Sequence, residues 1–569
     1  MWASRGLGLA VGAAVIPLAV FHGGYAPTAW GWGSIACFWV ALLALFARRA
    51  LILDRLVALW CAALLALTAW TAISATWSQS TPRTLLEVER DLLYLAAIAA
   101  LALIARRGSE EQLVTGVAVG AAAVVIGALG YYLIARPAID ITQGYLLFRP
   151  IGYANAFGGL IAITVPLLLG LSIAGVRREA RAAFAAAAVV LLVALYLTQN
   201  RSGWLALATA VIVWILTTSA RSDAAVALVL AALPAAIAVA IVARLDLLRT
   251  DRAAGRAEDA HLALGVVALC AAIGAAGTVF APRFALGHRF VVRAVRAAAL
   301  VVAAALVWAA AHAGDRTHYW HAAARGIEHR WLLGSGAGTF DEIWLRYRDI
   351  DSIVRDAHDL YLETFTELGI AGIALIAVAL SLPLVARNDA RTPVLAAARG
   401  AYCAFLVHAA FEWDWEMPIV TLPALVLGMA LLLSSGNASQ LRIGLSARVA
   451  GAITAGLLTL FAIDALAGNA YLVTAERRAQ AGDDAAAQAR AVQARRLLPW
   501  ASEPWLVIAD TRARAGDVTG ARDALRTAVS RDRSDWFLWY RLAAASSGAE
   551  RAAAVRQAVL LNPRLLRRR

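Results

Sequence analysis

The chain carries about fifteen apolar stretches, most of them near the ~20 residues that a helix needs to cross a bilayer. They run over 6–21, 29–46, 56–74, 91–105, 112–134, 155–174, 182–198, 203–219, 224–243, 261–281, 297–313, 369–386, 394–411, 417–434 and 447–466. Inside a bilayer the backbone has no water to bond, so only helices and closed barrels can span it. Nothing in these stretches alternates with the period of two that a barrel strand requires. The expectation is an all-α, polytopic helical membrane protein of about 12–15 spans. Composition agrees: 61% of the 569 residues are hydrophobic, against about 45–50% in soluble domains.

The formal net charge is +14, and every cationic side chain is arginine. A GC-rich genome explains that bias, but arginine also stays charged and grips phosphate through two parallel bonds. Cytoplasmic loops favour arginine, so the charge does not imply nucleic acid. Counted from a cytoplasmic N-terminus, the loops after even-numbered spans carry Arg48, Arg49 and Arg55; Arg106 and Arg107; Arg177, Arg178 and Arg181; Arg221; Arg283, Arg289, Arg293 and Arg296; and Arg387 and Arg391. This topology places 135–154, 199–202, 314–368 and everything after 466 outside, in a multi-pass protein of the cytoplasmic (inner) membrane. Segment 244–261 is the exception, with four arginines outside beside four acids. Cys37, Cys61, Cys270 and Cys403 fall in apolar stretches and read as small core residues, not as disulfides or metal ligands. The N-terminal apolar run lacks a convincing cleavage site and reads as a retained first helix.

Beyond residue 466 the apolar runs stop and the sequence repeats. "AGDDAAA" (481–487) and "AGDVTGA" (515–521) are 34 residues apart, as are Tyr471, Trp505 and Trp539, Ala487 and Ala521, and Ala494 and Ala528. A period of 34 with small alanines at helix-contact points is the tetratricopeptide pattern. The expected division is 1–466, a membrane domain with an extracytoplasmic loop 314–368, and 467–569, an extracytoplasmic helical repeat domain. Such repeats bind partners, here a possible protein partner, and perform no chemistry.

The segments placed outside share single arginines beside glycines and polar residues. "RPIGYANAFGG" (149–159) has Arg149, Gly152 and Asn155, and "TQNRSGWLAL" (198–207) has Asn200, Arg201 and Ser202. Arg201 sits in a turn too short to be a solvated loop, where a near-membrane cation is functional by default. The plainer reading is an arginine snorkelling to lipid headgroups. In the long loop Arg316, Trp320, Arg325 and Arg330 fall on an expected amphipathic helix, followed by Gly334, Gly336 and Gly338. Such glycines can cradle an anion, yet no Lys-Ser/Thr or strand accompanies them, and a flexible turn is the simpler reading. "RDAHDLYLETFTELG" (355–369) then begins a helix at His358. Neighbouring arginines favour the neutral imidazole, the form that accepts a proton. A neutral histidine among anion-binding arginines suits attack of a hydroxyl on a sugar carbon while a phosphate leaves. No His-Glu-x-x-His motif occurs and no cluster of acids is expected on the outer segments, so the expected mechanism uses neither metal nor cofactor.

Taken in order, "RPIGYANAFGG", "NRSGWLAL", "LLGSGAGTF" and "AHDLYLETFTELGIAGI" resemble the O-antigen ligase/polymerase superfamily of bacterial membrane glycosyltransferases over roughly residues 60–435. Asp359 stands where that family usually has asparagine. The resemblance implies a glycan donor on an undecaprenyl-pyrophosphate carrier, drawn from the lipid bilayer. Transfer would be to a glycan, lipid or protein acceptor at the outer face, without metal. It implies His358 as the base on the acceptor hydroxyl and Arg201 as the grip on the pyrophosphate. Arg149 would assist, and Arg316 or Arg330 would contribute from the long loop. The tail resembles tetratricopeptide repeats that some members carry. The motifs do not separate ligases from protein glycosyltransferases or from polymerases that extend the lipid-linked glycan. From other classes, a transporter or flippase of lipid-linked sugars would show inverted repeats and helix breaks at mid-membrane, and a scaffold would depend on the repeats alone.

Overall fold

The computed structural model describes residues 2–48, 51–174, 177–248, 256–280, 287–386, 392–435 and 440–565. Arg49, Arg283, Arg387 and Arg391, and residues 249–255 of the charged segment 244–261, lie outside them. Each of the fifteen apolar stretches is carried by a helix. The first eleven are α1 (Trp2–Val20), α2 (Pro27–Ala47), α3 (Arg55–Ser74), α4 (Thr81–Ile104), α5 (Glu110–Ala135), α6 (Ala154–Ala174), α7 (Arg178–Thr198), α8 (Arg201–Thr217), α9 (Arg221–Val242), α10 (Arg256–Phe280) and α11 (His288–Ala311). The long loop holds two more, α12 (Arg316–Arg330) and α13 (Phe340–Tyr347). The last four apolar stretches are α14 (Leu360–Val385), α15 (Pro393–His408), α16 (Pro418–Leu433) and α17 (Leu445–Gln480). Among the described residues ten helices are long and apolar enough to cross a membrane, and four shorter apolar helices accompany them. The fifteenth, α4, carries Arg83, Glu87, Glu89, Arg90 and Asp91 in its first half.

The core is alanine- and leucine-rich and centres on α6, whose residues Ala156–Leu171 are buried on every side. Close approach is bought by small residues. A Cβ on Gly116 would lie 2.3 Å from the carbonyl oxygen of Gly8, and one on Gly120 would lie 2.4 Å from that of Gly12. Two pairs of glycines spaced by four thus let α1 and α5 touch backbone to backbone, the usual device of tight helix pairs in membranes. One element departs from the all-helical expectation. Leu51–Asp54 and Gln440–Ile443 form a two-stranded antiparallel ribbon, with Leu51 opposite Ile443 and Asp54 opposite Gln440. Beside it, arginines serve the ends of helices: Arg48 donates to the carbonyl of Ile104 at 3.0 Å, and Arg107 pairs with Asp54 at 3.1 Å. Cations are favoured at helix C-termini by the exposed carbonyls there.

The tail consists of α18 (Asp484–Leu497), α19 (Glu503–Arg514), α20 (Val518–Arg531), α21 (Trp536–Ala545) and α22 (Gly548–Leu561), each packed on the one before. Ala487, Ala494, Ala521 and Ala528, the alanines repeated at 34, are all buried at these contacts. The expected boundary at 466/467 falls inside α17, which runs unbroken for 36 residues. The tail docks on the face that carries the long loop. Ser80 donates to Asp532 at 2.6 Å, Arg348 to the Asn562 side chain at 2.9 Å, and Ser534 to Glu342.

Candidate active site

Four separated segments meet at one carboxylate, Glu412, in the connection between α15 and α16. It is 1% exposed. Its Oε1 accepts from Arg316 Nη2 at 2.6 Å and from Ser202 Oγ at 2.8 Å. Its Oε2 accepts from Asn155 Nδ2 at 3.0 Å and from Tyr153 Oη at 3.4 Å. These donors come from the first turn of α12, the first turn of α8, and the start of α6. The α8 turn is shaped by Asn200, which caps the helix by accepting from the Gly203 N–H at 2.9 Å and donates to the Asn155 carbonyl at 2.7 Å. Gly158 makes that contact possible, since a Cβ there would lie 2.5 Å from the Asn200 amide nitrogen. The connection carrying Glu412 is itself fixed by His408, whose Nε2 meets Asp414 at 2.9 Å, and by Tyr94, which donates to the Trp415 carbonyl at 3.1 Å.

His358 stands beside this hub. Its ring lies 5.4 Å from the Tyr319 ring on α12, centroid to centroid. The helix begins two residues later than expected, at Leu360, and His358 precedes it with φ +56°. That left-handed conformation is uncommon for a side chain other than glycine, and histidine is among the residues that tolerate it. Its Nδ1 lies 3.1 Å from the Asp356 carbonyl oxygen. A carbonyl only accepts, so that contact places the proton on Nδ1 and leaves the Nε2 lone pair free. Burial holds the imidazole below its ordinary pKa; the Asp356 carbonyl, Glu412 and Asp414 oppose that shift and Arg316 adds to it. Asp359 caps α14, its Oδ1 accepting from the N–H groups of Tyr361 at 2.9 Å and Leu362 at 3.0 Å. Asparagine offers the same oxygen, which accounts for the exchange at this position.

The other arginines are distributed differently. Arg201 is the first residue of α8, next to Ser202, exposed and without an ion pair among the described residues. Arg149 is exposed and stacked 5.4 Å from the Phe148 ring. It opens on a separate cavity of about 630 Å³ between α1, α5 and the 140–152 loop, with His22, Tyr131 and Asp140 around it. Arg330 closes α12 at the end opposite Arg316, roughly 20 Å away along fifteen residues. The structure therefore brings Arg316 to the Glu412 hub beside His358, sets Arg201 next to the Ser202 that bonds to that hub, and holds Arg330 at the far end of α12. The glycines at 334, 336 and 338 all have positive φ, but their turn is spent on protein. Gly336 N–H donates to the Glu367 carbonyl, and Gly338 and Phe340 N–H donate to its carboxylate, both at 2.8 Å.

Acids do cluster on this face, contrary to the expectation from sequence. Carboxylate oxygens of Asp356, Glu363 and Glu416, all buried, lie within 4.8 Å of one another. The buried Arg90 guanidinium already sits on this group, 2.9 Å from Glu416, paired also with Glu87 and 5.0 Å from the Trp415 ring. Its place beneath the His358 loop makes it a buried ion network that anchors the loop to α4. Asp349 and Asp351, spaced as an Asp-x-Asp pair, are engaged separately, by His318 at 2.8 Å and Arg348 at 3.8 Å. Glu412 was not singled out in the sequence, although "FEWDWEM" (411–417), three acids between two spans, was the visible signal.

Residues 186–377 match the family model described as O-Antigen ligase. The matched segment contains Arg201, Arg316 and His358 and excludes Arg149 and Glu412. No curated protein matches the chain. The family match supports the O-antigen ligase superfamily and, with it, a multi-pass membrane enzyme of glycosyltransferase type.

Proposed function

We propose that the chain transfers a glycan from an undecaprenyl-pyrophosphate carrier to an acceptor hydroxyl at the outer face of the cytoplasmic membrane, as a ligase. What supports this reading is the meeting of His358, Arg316 and the α8 N-terminus at Glu412, from stretches as far as 210 residues apart. His358 Nε2 takes the proton of the acceptor hydroxyl. The acceptor oxygen then bonds to the anomeric carbon as the bond from that carbon to the pyrophosphate oxygen breaks. The electron pair leaves on the pyrophosphate, where Arg201 and the free edge of Arg316 meet the growing charge. Arg149, which lines a cavity with His22, Tyr131 and Asp140, would assist from there. The arginine-rich loops on the opposite face favour an extracytoplasmic His358 face, and the tail, docked there, sits where an acceptor or partner arrives.

The test is transfer of label from a radiolabelled lipid-pyrophosphate glycan to added acceptors by the purified protein in vesicles. Transfer is expected to survive a chelator and to fall about 10²–10⁴-fold in His358→Ala, the range of a general base. Transfer that needs added divalent metal, or that persists in the variant, overturns the mechanism. Label that instead accumulates as longer lipid-linked chains identifies a polymerase.

A further inference from the structure

Glu412 lies outside the segment that matches the family model, yet it has more side-chain partners in the candidate site than any other residue described above. We propose that Glu412 is the positioning residue of this centre, clamping Arg316 to the starts of α6 and α8 and supplying the negative charge that faces His358 when its imidazole takes a proton. This rests on the catalytic reading above. Without Glu412, the 25%-exposed Arg316 side chain would lose its ion pair and the anchor that fixes its guanidinium. An unpaired guanidinium beside the base would also repel the imidazolium that proton transfer creates. With Glu412 bonded to that guanidinium, the positive charge is offset at rest, and the carboxylate can stabilise the imidazolium in turnover. The logic is that of a carboxylate behind a catalytic histidine, acting by charge and orientation without exchanging a proton.

The groups that face His358 are Arg316 and Tyr319 from α12, Glu412 and Asp414 from the connection after α15, and the Asp356 carbonyl from its own loop. Among the charged side chains Glu412 acts most strongly on the imidazole. The two neighbours pull in opposite directions, so their removal has opposite signs. The probe is site-resolved carbethoxylation of His358 by diethyl pyrocarbonate against pH, read by mass spectrometry on the purified full chain. It needs neither donor nor acceptor. In Glu412→Gln the modification midpoint is expected to move to lower pH, and in Glu412→Asp, which keeps the charge, to return towards the original. In Arg316→Gln, the second variant should Glu412→Gln not fold, the midpoint is expected to rise. An unmoved midpoint in Glu412→Gln, a fall in Glu412→Asp as large as in Glu412→Gln, or a fall in Arg316→Gln overturns the inference. If the midpoints move as expected while the wild-type protein transfers no glycan, the catalytic reading fails and the electrostatic role of Glu412 stands.

Discussion

His358 and Asp359 divide two tasks between neighbouring residues, one offering a free nitrogen and the other closing the helix end. Asp359→Asn should leave thermal stability near wild type, whereas Asp359→Ala should cost about 1 kcal/mol through loss of the cap, read as a lowered unfolding midpoint. Burial keeps His358 neutral to lower pH than an ordinary histidine. Transfer should therefore rise with pH through a midpoint below about 6.5 and stay flat towards pH 8, as a pH–rate profile will show. His358, Arg201 and Arg316 were visible as candidates in the sequence because a charge at the edge of an apolar stretch is conspicuous. Glu412 was not, because a glutamate between two spans looks like a solvated loop residue. Its role is created by donors that lie 96, 210 and 257 residues away, and no local pattern records such a meeting.

At the scale of elements, hydropathy revealed the helices almost completely, because each span must satisfy its own backbone. It missed the four-residue ribbon, which is too short to show a period. Periodicity also foretold α12, but a helix has length, and that length separates Arg330 from Arg316. Within α14, Gly369 breaks the helix at φ +64°, and a Cβ there would lie 2.3 Å from the Leu332 carbonyl oxygen. The expected span start at 369 coincides with this break. The contact between α1 and α5 makes a sharp prediction. Gly116→Val forces a side chain into the backbone of Gly8 and should destabilise the protein by about 1–3 kcal/mol or more. Gly127→Ala, on the same helix with nothing within 4 Å of the added carbon, should be neutral; thermal unfolding in detergent compares them.

For the whole molecule, the docking of the tail on the long loop connects the repeat region to the site. Arg348 donates both to Ser352, in the segment leading to His358, and to Asn562 at the end of α22. Asn562→Ala should loosen that segment and raise its hydrogen exchange without changing that of α6. Burial raises the Glu342 carboxyl from 4.5 to about 8, with Arg83 opposing the shift. The folded state therefore favours protonated Glu342. The stability this provides is complete below about pH 4.5 and is lost as pH rises through about 8. Limited proteolysis of the tail should accelerate over that window, and less steeply in Glu342→Gln. The 34-residue period announced the helices of the tail, but not where they rest, since docking surfaces have no period.

The unbroken α17 fixes more than a boundary. Thirty-six residues make a rod of about 54 Å, and the stack of tail helices packs directly against it through α18 and α19. Inserting one residue in that rod would turn the stack by about 100°, while a whole number of turns would restore its heading. The tail is thus mounted in phase with the candidate site, and a phase error should break its contacts with the long loop even with every side chain intact.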